Sequence, residues 1–198
     1  MKPAVLIIDM LEDSFNEQHR NPVTPFALEI VPRINRLTQA ARGKGIPVIF
    51  SMDSFLPGDF IFKGKMREHS IRGTAGAEVY RGLTQEKGDM YSRKRRFSAF
   101  FKTDLDQTLR LHGVDTVALA GINSHWCVLS SALDALANDF RAYIIEDCAA
   151  SYSRQVHETA MDMYRRNPLF PLFKIMKLAE FLGELGGELA NEPANEPD

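Results

Sequence analysis

Apolar runs that stop at an acid or a glycine, alternating with stretches of helical spacing, constrain this chain more than any other feature. "AVLIID" (4–9) is apolar until its last residue, Asp9. A run with no polar alternation is the pattern of a strand buried on both faces. "IPVIFSMD" (46–53), "VDTVALAG" (114–121) and "RAYIIED" (141–147) repeat it, "DMYSRKRRF" (89–97) is a more polar version, and "PLFKIM" (171–176) is a short one. Between them, Leu28, Val31, Ile34, Leu37 and Ala41 recur at helical spacing and are closed by Gly43 and Gly45. "KTDLDQTLRLHG", "CVLSSALDALAND", "SRQVHETAMDMYRR" and "KLAEFLGEL" read as further helices. Six strands alternating with helices predict an α/β three-layer sandwich: a six-stranded, mostly parallel, Rossmann-like sheet with helices on both faces. The polar third strand suits a sheet edge. One domain is expected over 1–186. "NEPANEPD" is polar and proline-rich, so 187–198 is expected to be a disordered tail.

In such sheets ligands bind beyond the carboxyl ends of the strands. Asp9, Asp53 and Asp147 end strands there, Lys94 lies near the end of the third, and a turn at Gly121 follows the fourth. That turn, "GINSHWC", places Cys127 at the start of a helix. A helix N-terminus has unpaired N–H groups and favours negative charge, which lowers a thiol pKa. Position alone leaves two readings open: a small buried core thiol or an activated nucleophile. Cys148, in "EDCAAS", has no such turn and reads as core.

Composition removes several classes. The formal net charge is −2, so no global field recruits nucleic acid or an anionic membrane. The cluster "SRKRR" does not change this, because a strand sends Arg93 and Arg95 to the face opposite Lys94 and Arg96. No apolar run approaches the roughly 18 residues of a membrane span. Neither a GxGxxG nor a Walker-type loop is present, so no nucleotide cofactor is expected. Two cysteines are too few for a disulfide framework, and "MKPAVLIIDM" does not read as a signal peptide. A cytoplasmic location is the expectation.

Three blocks resemble one known family. "LIIDMLEDSF" has an aspartate ending the first strand. "SRKRRFSAFFKTDLD" has a lysine before an aromatic–Ser–Ala–Phe segment. "VALAGINSHWCVLSSALDA" has glycine, a polar pair and cysteine. In this order they are similar to the isochorismatase-like cysteine hydrolases, which include nicotinamidases, N-carbamoylsarcosine amidohydrolases, ureide hydrolases and isochorismatases. The resemblance runs from about Ala4 to Leu182. It implies a catalytic triad of Asp9 as general base, Lys94 as support for the thiolate, and Cys127 as nucleophile. It also implies a cis peptide between Ile122 and Asn123, and an oxyanion hole formed by the N–H groups of Asn123 and Cys127.

The chain departs from the family in two places. Nicotinamidases hold a metal through an Asp-x-His pair and a second histidine, and here those positions are Asp53, Phe55 and His69. Phe55 has no ligand atom, so no metal and no other cofactor is expected, and His69 reads as a hydrogen-bonding loop residue. The first block reads Asp13-Ser14-Phe15 where relatives have Asp-Phe. Phe15, Phe97 and Trp126 are the candidate pocket walls, and Arg72 or Arg96 could meet a substrate carboxylate.

The expected activity is cysteine-dependent hydrolysis of a small amide, carbamoyl or ureido compound through a thioester, with release of ammonia. An isochorismatase-type enol ether hydrolase and a non-catalytic interaction protein on the same fold are the alternatives. Phe55, Phe60 and Phe62, in a segment punctuated by Gly58 and Pro57, predict a homo-oligomer, because a monomer would expose them.

Overall fold

The structure is a computed structural model and describes residues 1–16 and 21–186. The tail expected over 187–198 lies outside the described residues.

The apolar runs form six strands: β1 (Pro3–Ile8), β2 (Val48–Asp53), β3 (Met90–Lys94), β4 (Thr116–Ile122), β5 (Arg141–Ala150) and β6 (Phe173–Met176). They pair in the order β3-β2-β1-β4-β5-β6, and every pair is parallel. The sheet is therefore wholly parallel, and β3 is an edge, as its polarity suggested. The helices are α1 (Glu12–Phe15), α2 (Thr24–Arg42), α3 (Leu105–Leu111), α4 (Leu129–Ala137), α5 (Arg154–Arg165) and α6 (Leu178–Glu184).

Both faces of the sheet are covered. Val5 and Ile7 of β1 pack with Ile34, Leu37 and Ala41 of α2 and with Phe181 of α6. Their neighbours Leu6 and Ile8 pack on the other face with Leu109 of α3, Ala132 of α4 and Met161 of α5. Alternation along one strand thus feeds two cores, which is why the run shows no polar period. None of the described helices is long and apolar enough to cross a membrane.

The strand order reverses between β1 and β4. Chain segments leaving these two strands diverge and open a crevice. Gly121 lies in that seam with φ 110°. A Cβ there would lie 2.1 Å from the Ile8 carbonyl oxygen, so only glycine lets the two strand ends approach.

Two sequence expectations change. Asp147 does not end the fifth strand, because β5 continues to Ala150. The β4–β5 register shifts between Leu119 and Gly121, which pair with Ile144 and Ala149. The extra residues on β5 form a bulge, and Asp147 Oδ1 instead accepts the Leu178 N–H at the start of α6, at 2.8 Å. Cys127 does not open an α-helix either. It lies in a π-helical turn, Ser124–Val128, that precedes α4.

Candidate active site

Asp9 follows the last residue of β1 and has φ 54°. A left-handed aspartate is uncommon, and such backbone is held in place by its surroundings. Its Oδ1 accepts the Asp53 N–H at 2.9 Å, and its Oδ2 accepts from Lys94 Nζ at 2.8 Å. Lys94 Nζ also donates to Asp53 Oδ1 at 2.5 Å. Three neighbouring strands therefore end in one buried cluster, with the ammonium between two carboxylates. Lys94 is 1% exposed, and so enters as a paired charge and not as an edge residue.

Cys127 completes the cluster from β4. Its Sγ and carboxylate oxygens of Asp9 and Asp53 all lie within 4.8 Å of one another. The turn that carries it is tied down on several sides. Asn123, joined to Ile122 by a cis peptide, accepts from the N–H groups of Trp126 at 3.0 Å and Val128 at 3.2 Å through its carbonyl. Ser131 Oγ donates to the Cys127 carbonyl at 2.6 Å and accepts the Ala99 N–H at 2.9 Å. Ser131 thus joins the Cys127 turn to the segment after Lys94. Buried Ser124 lies 3.0 Å from His157 Nδ1 through its hydroxyl, and Ser151 Oγ lies 2.8 Å from His125 Nδ1. A π-turn at this point is a departure from regular helix of the kind found at functional sites.

The electrostatics differ from the expectation drawn from a helix N-terminus. Burial pushes the Cys127 thiol well above its usual pKa; Lys94 pulls it down, while Asp9 and Asp53 push it up. The resting group is the thiol. Burial and the Asp9 charge raise the Asp53 carboxyl to about 6, against the pull of Lys94. For Lys94, burial favours the neutral amine, yet Asp53 and Asp9 outweigh it and hold the ammonium above the usual lysine value.

A cleft of about 390 Å³ opens onto Cys127, Asn123 and Asp53. Phe97 and Trp126 wall it as the sequence suggested, their ring centroids 4.8 Å apart. Phe55 and His69 form the facing wall, and Ile61, Lys65 and Met66 its rim. Phe15 is not part of it: that ring stacks on Tyr80 at 3.6 Å and lines a separate hollow with Glu12 and Asp13. The first-block departure therefore leaves the pocket wall untouched. The sequence of the long excursion after β2 predicts three exposed phenylalanines. Only Phe60 is exposed, because Phe55 packs edge-on against Phe62 and His69 at 5.1 and 5.3 Å. Those contacts also place a hydrocarbon ring where a nicotinamidase-like site has a ligand. His69 Nδ1 lies 2.9 Å from the Arg67 carbonyl oxygen, and Asp53 is held by Lys94, so this set does not fit that metal.

Sequence reasoning missed four contributors. Asp53 was legible as an acid ending β2 on the ligand-binding rim and as one of the family's metal positions, but not as a partner of Lys94. Ser131, Ser124 and His157 gave no signal of their own, since hydroxyls and lone histidines on helices are common.

Comparison with known proteins gives the family. Residues 3–172 match the isochorismatase domain. A probable isochorismatase of Pseudomonas chlororaphis is 32% identical over 68% of this chain and 66% of its own length. A probable inactive nicotinamidase of Arabidopsis thaliana is 32% identical over 78% of this chain and 83% of its own. Maleamate amidohydrolase of Pseudomonas putida is 28% identical, covering 79% and 76% respectively. Among solved structures, an isochorismatase-like hydrolase from Alkaliphilus metalliredigens superposes with a TM-score of 0.84 at 29% identity, covering 93% of this chain and all of the other. N-carbamoylsarcosine amidase from Thermoplasma acidophilum gives 0.77 at 29% identity, covering 90% and 97%. On the match over residues 3–172, and on a sheet and a strand-end crevice that agree with it, this chain belongs to the isochorismatase family of hydrolases.

Proposed function

We propose that this protein hydrolyses a small amide, carbamoyl or ureido compound through a Cys127 thioester and releases ammonia. The observation that carries this reading is the Cys127 thiol gathered beside the Asp9 carboxylate, with Lys94 on that same carboxylate, at the floor of an open cleft. Relatives named as a maleamate amidohydrolase and an N-carbamoylsarcosine amidase support the substrate class.

The chemistry follows from the residues. Asp9 takes the thiol proton as Sγ bonds to the carbonyl carbon, so a buried thiol need not ionise beforehand. Lys94 keeps its proton and offsets the negative charge that develops beside two carboxylates. The N–H groups of Asn123 and Cys127 donate to the oxyanion. Collapse breaks the C–N bond, and the Asp9 proton passes to the departing nitrogen, which leaves as ammonia. Water then adds to the thioester and yields a proton to Asp9. The C–S bond breaks, that proton returns to Sγ, and the acid product departs.

A panel of small amides and ureides, scored by ammonia release for wild type and Cys127→Ala, tests the reading. Turnover of a panel member by wild type and not by the variant is the expected result, with an acyl adduct on Cys127 by intact-mass measurement. The relative named a probable isochorismatase favours enol ether cleavage as the second reading. Turnover of such an ether without ammonia, undiminished in Cys127→Ala, would establish it in place of the first.

A further inference from the structure

Beside the edge strand β3, five cationic side chains gather. Arg72, Arg93, Arg95, Arg96 and Lys102 line a hollow of about 290 Å³ together with Phe101. It shares no lining residue with the Cys127 cleft. The sequence cluster "SRKRR" is split, with Lys94 in the buried cluster, but Arg96 does not follow Lys94 as strand alternation predicted: β3 ends at Lys94, and Arg96 joins Arg93 and Arg95 in the hollow.

The hollow is built, with parts of it fixed from beneath. Asp59, whose side chain is 2% exposed, holds Arg95 in an ion pair and lies 3.6 Å from Arg96 Nη1. Arg95 beside it keeps the Asp59 carboxyl down at about 2, so this one counter-charge persists. Arg72 Nε donates to the hydroxyl of buried Ser54 at 3.0 Å. Lys102 Nζ lies 5.4 Å from the Phe101 ring centroid. Arg72, Arg93 and Lys102 make no ion pair among the described residues. A chain whose formal net charge is −2 has therefore concentrated five cations against one carboxylate in a single concavity. Like charges held close repel, and the shape focuses their field.

We propose that this hollow binds a diphosphate group. Guanidinium forks match phosphoryl oxygens two at a time. One carboxylate of a ligand would leave most of this charge unbalanced, whereas two linked phosphoryl groups bring several negative charges within the span of the hollow. The ligand is either free pyrophosphate or the diphosphate of a larger organic molecule. The site is separate from the chemistry at Cys127 and does not depend on what that chemistry is.

The test is calorimetric titration of the full-length protein with inorganic pyrophosphate, ADP and citrate. Saturable one-to-one binding of a diphosphate is expected, weakening as salt rises from about 50 to about 500 mM. The double variant Arg93→Gln/Lys102→Gln should bind at least about ten-fold more weakly, since two charge-assisted contacts are lost. Its circular dichroism should match wild type, because both side chains are exposed. Cys127→Ala should bind as wild type does. Tighter binding of ADP than of pyrophosphate assigns the organic diphosphate, and the reverse order assigns the free anion; either supports the site. Absence of diphosphate binding, equal binding by the double variant, or equal affinity for citrate overturns it.

Discussion

Lys94 Nζ meets the Asp9 carboxylate at 2.8 Å across 85 residues of sequence. They sit at the ends of β3 and β1, two strands apart, with Asp53 of β2 between them. The contact is thus a property of the sheet, fixed by register and not by a loop. Lys94→Met leaves two buried carboxylates facing each other and the Cys127 thiol without its one stabilising charge. The alkylation-versus-pH curve of Cys127 should move upward by at least about one unit, or about 1.4 kcal/mol. Turnover should fall strongly, and stability should fall by about 3–5 kcal/mol, as when one partner of a buried pair is removed. Iodoacetamide kinetics across pH and a urea titration measure the two effects. An unmoved alkylation curve would withdraw Lys94 from the site.

Cys127→Ala should abolish hydrolysis while the fold survives, since the lost thiol is small and borders the cleft. Cys148→Ala should retain nearly all activity. Cys148 is fully buried, burial pushes its thiol far above neutrality, and it lines no part of the cleft. Ammonia release by the two purified variants decides between them.

Asp53 sets a pH window. Its pKa is about 6 in the fold against about 3.9 in an unfolded chain. The native state therefore binds the proton more tightly, and the contribution of this group to stability falls as pH rises from about 4 through about 6. Asp53→Asn should flatten that slope in thermal melts. Activity moves the other way. Below about pH 6 a proton enters the Asp9–Lys94–Asp53 cluster, so kcat/KM should fall there along an acid limb that is a property of the cluster. An acid limb unchanged in Asp53→Asn would show that the proton resides elsewhere.

Exhaustive chelation should leave hydrolysis intact, because Phe55 packs its ring where a ligand atom would be needed. Elemental analysis before and after treatment, beside the rate, checks this. A stoichiometric metal whose removal abolishes activity would overturn it.

The protein should assemble into a homo-oligomer. Phe60 is 72% exposed and Trp126 51%, and Leu56 and Met66 add apolar surface in the same excursion. Light scattering at micromolar concentration should give a mass above that of a single chain.

Much of this arrangement was legible in the order of residues. Strands of a parallel sheet end on one rim, so Asp9, Lys94 and the Gly121–Cys127 turn could be gathered without coordinates. Phe97 and Trp126 were legible for the same reason, being next to residues on that rim. Phe15 was not, because its place depends on Tyr80, which lies in a segment without periodicity. Nor could sequence show that Cys127 would be 7% exposed, within the core on that face of the sheet. That burial outweighs Lys94 and leaves a thiol where a helix N-terminus suggested a thiolate. Asp147 was misplaced by a bulge in β5, since register is a relation between two strands and neither strand records it alone.

The glycine at 121 shows that a position can be indispensable for what it lacks. A single added methyl would meet the Ile8 carbonyl at 2.1 Å and wedge β4 from β1. The wedge would open at the point where Asp9 and the Cys127 turn part company. A survey scoring only residues with functional side chains would pass over this one. Yet its hydrogen atom sets how near an acid and a thiol from distant parts of the chain can come. In the mechanism proposed above, the reach of the proton transfer is in that sense written into the seam at Gly121.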